Sequence, residues 1–243
     1  MRNRSLTVPV LVLALSSGCV GKLGPIQQQS DSFEVDEAIH TIVLDGSSGD
    51  TFVQGGADVV SVSRYAEWRG DTPDVDAYVQ DGVLYLSDGC DSWGWCSVEH
   101  MIDVPAGVSL KLRVGSGDMD VYAIDGDVTL DTGSGDVRAQ RVTGDLVIDV
   151  GSGDISGDDL SGDSFFGQTG SGDVVMRFSE PPSLVDLETG SGDVLLEVPQ
   201  ADYNLDLDTG SGDIDLDGVQ DASGADRHLR VSTGSGDIDI IAR

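Results

Sequence analysis

Basic residues are scarce in this chain. Lys and Arg number 13 against 44 Asp and Glu, for a formal charge of −31. Nucleic acid is therefore excluded as a partner, because binding it needs a basic footprint. Charge-driven docking on anionic lipid is excluded by the same deficit. Aromatics are also few, at 5 %. Acidity with few aromatics can mark disorder, but here the acids alternate with Val, Ile and Leu, which reads as the solvated face of strands. His40, His100 and His228 are scattered, and none sits with a Ser, Cys or carboxylate at a spacing that suggests a triad or a metal set. Beyond the first fifteen residues no apolar run is long enough to cross a bilayer.

Cysteine is nearly absent too, and the three that occur are informative. Arg2 and Arg4 precede the apolar run Leu6 to Leu15, and then come Ser16, Ser17, Gly18 and Cys19. Small residues before a cysteine, directly after a signal core, resemble the lipobox of bacterial lipoproteins. The resemblance implies a lipoprotein signal peptide over 1–18 and a lipidated Cys19, with several acyl chains giving stable anchoring. An ordinary signal peptide with an incidental cysteine is the other reading of these residues. Val20 stands where many inner-membrane lipoproteins carry Asp, so the analogy points to the outer membrane of a Gram-negative cell. Residues 19–32, with Gly21, Gly24, Pro25 and three consecutive glutamines, read as a flexible tether. Cys90 and Cys96 remain, six positions apart in an exported chain, and they are expected to form a disulfide closing a small loop.

What is abundant is one turn. Gly-Ser-Gly-Asp begins at Gly115, Gly133, Gly151, Gly170, Gly190, Gly210 and Gly234, at intervals of 18, 18, 19, 20, 20 and 24 residues. Near-constant spacing means one short unit stacked on itself. Leu205-Asp206-Leu207-Asp208-Thr209 precedes one turn and Ile214-Asp215-Leu216-Asp217 follows it. Apolar residues thus fall on every second position, the period of a strand. Thr132, Thr169, Thr189, Thr209 and Thr233 share one inward column, in which Val150 replaces Thr. Gly126-Asp127, Gly144-Asp145 and Gly162-Asp163 mark a second turn within each unit. Strand, turn, strand, turn, repeated, predicts an all-β fold: a parallel β-solenoid of 18–20-residue coils, regular over 115–243. The less regular stretch 33–114 carries a degenerate turn at Gly46-Ser47-Ser48-Gly49-Asp50 and reads as the start of the same stack, with insertions that cap its end.

That turn, then Asp81-Gly82-Val83-Leu84-Tyr85-Leu86, then Ile102-Asp103-Val104-Pro105-Ala106-Gly107, then repeated Thr-Gly-Ser-Gly-Asp, resembles a bacterial β-strand-repeat family grouped as putative adhesins of unknown function. The resemblance covers nearly all of 33–243. It implies a β-solenoid exposed on the cell envelope and supplies no catalytic residues.

Several motifs invite chemistry. Asp131-Thr132-Gly133-Ser134 and Asp208-Thr209-Gly210-Ser211 match the core of aspartic proteases, yet in-register stacking puts both copies on one face instead of across a cleft. The column Asp118, Asp136, Asp154, Asp173, Asp193, Asp213 and Asp237 either caps the turns by bonding their amides or bridges Ca²⁺. Trp93 and Trp95, inside the disulfide loop, either contact a sugar or a partner or cover the end of the solenoid. The expectation is a non-catalytic lipoprotein with no required cofactor. It would present a rigid acidic surface for adhesion or contact with an envelope protein or glycan. A Ca²⁺-binding structural module is the alternative, and glycan processing the least supported reading.

Overall fold

The computed structural model describes residues 4–5, 24–90 and 94–243. Cys19, Trp93 and all of the signal segment but Arg4 and Ser5 lie outside them. Arg4–Ser5 adds a short antiparallel pairing opposite Val79 and Tyr78. The described residues form strands and no helix.

Two eleven-stranded sheets enclose one core. Each coil gives one strand to each sheet. The coil containing Val128–Thr132 and Val137–Gln140 is representative. Val128 stands opposite Leu110 on one side and Leu146 on the other, and Leu130 opposite Leu112 and Ile148, all in parallel register. Val128, Leu130, Val137 and Ala139 are buried, while Thr129 and Arg138, which alternate with them, are exposed. A coil alone would leave these apolar groups wet on both sides. Stacked neighbours remove them from water at about 2 kcal/mol per large side chain.

The turn sequence follows from close stacking. Gly135 has φ of +135°, and a Cβ there would collide with the carbonyl oxygen of Gly117 in the adjacent coil. Only glycine meets both demands. The inward threonines carry a specific bond as well. Thr169 Oγ1 donates to Gly153 O at 2.9 Å and Thr189 Oγ1 to Gly172 O at 3.0 Å. The hydroxyl thus ties each coil to the turn of its neighbour, beyond the β-branched shape that the column needs.

The order of coils departs from the order of the chain at both ends. The last coil, Arg227–Thr233 with Ile238–Ala242, lies between Leu184–Thr189/Val194–Val198 and Tyr203–Thr209/Ile214–Asp217. From Val198 to Tyr203 the chain skips one level, about 10 Å of travel, which residues 199–202 can span when extended. Residues 218–226 then carry it back. This detour produces the long 24-residue interval between the last two turns.

At the other end, Thr41–Ser48/Thr51–Gly55 lies between the coil Val83–Gly89/Gly94–Val104 and the coil Ser109–Ser116/Met119–Tyr122. The regular stack therefore runs across the expected boundary at 114/115. Antiparallel strands finish this end: Val60–Gly70 and then Gln27–Val35 on one sheet, Asp74–Gln80 on the other. The expected tether over 19–32 is correspondingly shorter, because Gln27 onward is paired strand. Arg64 closes the core here. Its guanidinium binds both carboxylate oxygens of Asp31, donates to Asp76 O at 3.3 Å in the opposite sheet, and lies over the Phe33 ring.

Candidate interaction surfaces

The aspartate column is present and its role is legible. Asp118 Oδ1 accepts the amide of Asp136 at 2.8 Å, Asp136 Oδ1 that of Asp154 at 2.9 Å, and Asp154 Oδ1 that of Asp173 at 2.8 Å. The series continues through Asp193 and Asp237 to Asp213, with Asp50 of the degenerate turn at its start. Each carboxylate but that of Asp213, which ends the series, spends one oxygen on the next coil's backbone, a charge-assisted bond that offsets the repulsion between stacked acids. Among the described residues no group of three or more His, Cys, Asp and Glu is placed to hold a metal ion. Asp131 and Asp208, from the protease-like motifs, lie on the same sheet, and Asp131 pairs with Arg113 at 2.8 Å.

Cys90 and Cys96 form the disulfide, with Cα atoms 5.5 Å apart. It packs on Trp68, Ala66 and Val98, a small cluster separate from the main core. Trp95 does not cover the end of the solenoid. It is 48 % exposed on the strand Gly94–Val104, opposite Arg69. The tryptophan that is buried in this region is Trp68, which the sequence pointed to, with Tyr65 and Tyr85, as joining either the contact or the covering surface.

Outward faces carry two apolar spots that sequence reasoning missed. Phe52 and Met101 are register partners on one sheet, and Val147 and Phe166 on the other. All four are exposed, Met101 by 61 %. Met101 also borders a groove of 520 Å³ lined by Gln28, Ser30, Tyr65 and Glu99. A break in strict alternation was the available signal, since each sits in an outward column where most other levels hold a polar residue.

Besides Arg64, Asp88 and His100 are buried ionisable groups near the N-terminal end. Burial pushes Asp88 up to about 6, against the lowering effect of the Ser47 amide that it accepts at 2.6 Å. His100 is pushed down to about 4 by burial and by the Arg64 charge. His100 stands opposite Thr51, and neither His100 Nε2 nor Thr51 Oγ1 has a hydrogen-bond partner. These groups face the core and offer no open cleft to a substrate.

The family model described as Toastrack DUF4097 matches residues 32–241. The chain belongs to this family. The chain is also similar to solved structures. A "putative adhesin" from Parabacteroides distasonis is 14 % identical, with a TM-score of 0.53 over 87 % of this chain and 97 % of its own. A "putative cell adhesion protein" from Clostridium sporogenes is 12 % identical, with a TM-score of 0.41 over 89 % and 100 %. A "putative lipid binding protein" from Parabacteroides distasonis is 12 % identical, with a TM-score of 0.39 over 87 % and 96 %. At 14 % identity the likeness to the first of these is one of fold. No curated protein matches the chain significantly.

Proposed function

We propose that this Toastrack protein is an exported, lipid-anchored and non-catalytic module that presents a rigid acidic surface for adhesion or protein contact at the cell envelope. The observation that carries the reading is how the repeat uses its residues. Apolar columns fill the core and turn carboxylates bond backbone, so the outer sheet faces and the stack ends are what remains to meet a partner. Stacked parallel sheets with their registers tied coil to coil make such a surface stiff, which lowers the entropy lost on binding. Trp95, Met101 and Phe52 supply apolar contact on an otherwise charged exterior. Cys19 would hold the module at the membrane, the outer one of a Gram-negative cell.

Adherence of cells carrying the full chain tests this. Cells expressing it are expected to be retained on envelope glycan or protein surfaces above cells lacking it, and Cys19→Ser is expected to abolish both palmitate labelling and retention. Equal retention with and without the protein would remove the adhesion role. Labelling that persists in Cys19→Ser would remove the anchor.

A further inference from the structure

The two ends of the stack differ. Antiparallel strands and the Arg64–Asp31 pair finish one end. The other stops at the coil Tyr203–Thr209/Ile214–Asp217, which has a neighbour on one side only. Tyr203 of this coil is fully buried, but its later inward positions reach solvent. Ile238 and Ile240 are fully buried, while Ile214 and Leu216, their register partners, are 38 % and 44 % exposed. Leu205 and Leu207 are half-buried where Leu229 and Val231 are fully buried.

The backbone of this coil is also set for another strand. In the coils below, the amides of Val137, Ile155, Val174, Val194 and Ile238 each donate to the aspartate carbonyl of the next coil, at 2.9 Å. Ile214 holds the same position and has no next coil. Residues 218–226 cover only the start of the other edge, where Asp221 accepts the Leu205 amide at 3.1 Å and Ala222 donates to Tyr203 O. An exposed edge of this kind takes up an extended segment by main-chain pairing, with side chains reading alternate positions.

Charge decides which segment. Within the stack, Arg230 sits between Asp186 and Asp206, 3.2 Å from each. Arg113 likewise pairs with Asp131 of the next coil. Outward acids of neighbouring levels are thus neutralised where an arginine lies between them, while Asp213 on Asp237 and Asp215 on Asp239 stack acid on acid. The end coil presents Asp206, Asp208, Asp213, Asp215 and Asp217 to the next level. A second copy would add five more acids to these five, whereas basic residues would pair with them as Arg230 does with Asp206. The geometry points to an extended segment of a partner protein, apolar and basic at alternate positions, adding to the end coil as a further level. This names the contact for the adhesion reading above and rests on it.

The probe is a synthetic nine-residue peptide alternating Arg with Val, compared with a shuffled peptide of the same composition and with its Glu-for-Arg counterpart, on the full chain in detergent micelles. The alternating basic peptide is expected to bind at least about tenfold tighter than either control, with new amide exchange protection confined to 205–217. Leu216→Pro removes an edge amide, which an outermost strand tolerates, and is expected to abolish binding. Should that variant misfold, Asp206→Lys/Asp208→Lys is expected to reverse the preference toward the acidic peptide. Equal binding of the shuffled peptide, protection elsewhere, or a concentration-dependent dimer protected at the same amides would overturn the proposal. Cells that adhere through Leu216→Pro protein as well as through wild type would sink this site and leave the adhesion reading intact. Peptide binding without any cellular adherence would do the opposite.

Discussion

Thr233 Oγ1 donates to the carbonyl oxygen of Gly192 at 3.0 Å, a partner 41 residues earlier, and not to the turn that begins at Gly210. Thr209 reaches forward to Gly236 O at 2.9 Å. Together the two bonds fix the last coil inside the stack, below the coil that precedes it in sequence. Paired cysteines on the outer face test this order. Asp186→Cys with Arg230→Cys stands opposite in register and is expected to form a disulfide. Asp186→Cys with Asp206→Cys is separated by a level, about 10 Å, and is expected not to. The reverse result by peptide mass mapping would restore a sequential stack.

The threonine column makes a second prediction. Thr169→Val keeps the shape and deletes the bond to Gly153 O, so it is expected to cost about 1–2 kcal/mol. Val150→Thr occupies the equivalent place one coil earlier and is expected to be neutral or stabilising by a few tenths of a kcal/mol. Urea midpoints at constant m-value check both. Equal midpoints for Thr169→Val and wild type would reduce the column to a packing preference.

How much of this was written in the chain is clear from such pairs. Strand faces, both turns of each unit and parallel register follow from period-two alternation and glycine spacing, and the disulfide from two cysteines six positions apart, because each depends on neighbours within about twenty residues. The inserted coil does not. Tyr203 fits the surface of either neighbouring coil by pattern alone, and only the lengths of 199–202 and 218–226 distinguish the orders. A cap built from insertions was expected at this end, but the strand from Gln27 was hidden for the same reason, since Gln27 to Ser32 is polar and is specified by Arg64 and Asp31 meeting in register. The open end likewise depends on which coil lies last.

Arg64 is nearly buried and its pairing with Asp31 closes the core, so removing one partner strands the other's charge. Arg64→Met is expected to lose about 3 kcal/mol or more. Arg64→Met with Asp31→Leu is expected to recover most of it, since an apolar pair of similar volume avoids the desolvation of two ions. A double-mutant cycle by denaturant unfolding reads the coupling. Additive losses would mean that the pair does not act as the end plug.

Asp88 and His100 make opposing contributions to stability as pH changes. The Asp88 carboxyl titrates at about 6 when folded and near 3.8 when unfolded. The native state then holds the extra proton, so this group costs nothing below pH 3.8, and its cost grows as pH rises and is complete above about 6. His100 titrates at about 4 when folded and near 6.5 when unfolded. Here the unfolded state holds the extra proton, so the cost is absent above pH 6.5 and complete below about 4. Each amounts to about 3 kcal/mol across its window. Between pH 4 and 6 the two slopes are equal in size and opposite in sign, and their sum is nearly flat. Asp88→Asn is expected to make stability rise with pH through this interval relative to wild type, and His100→Asn to make it fall. The remaining surface acids form a background common to all three proteins, so the differences isolate the two sites. Unfolding free energies that run parallel for wild type and both variants from pH 4 to 6 would mean that neither group is held at the shifted value that its burial implies.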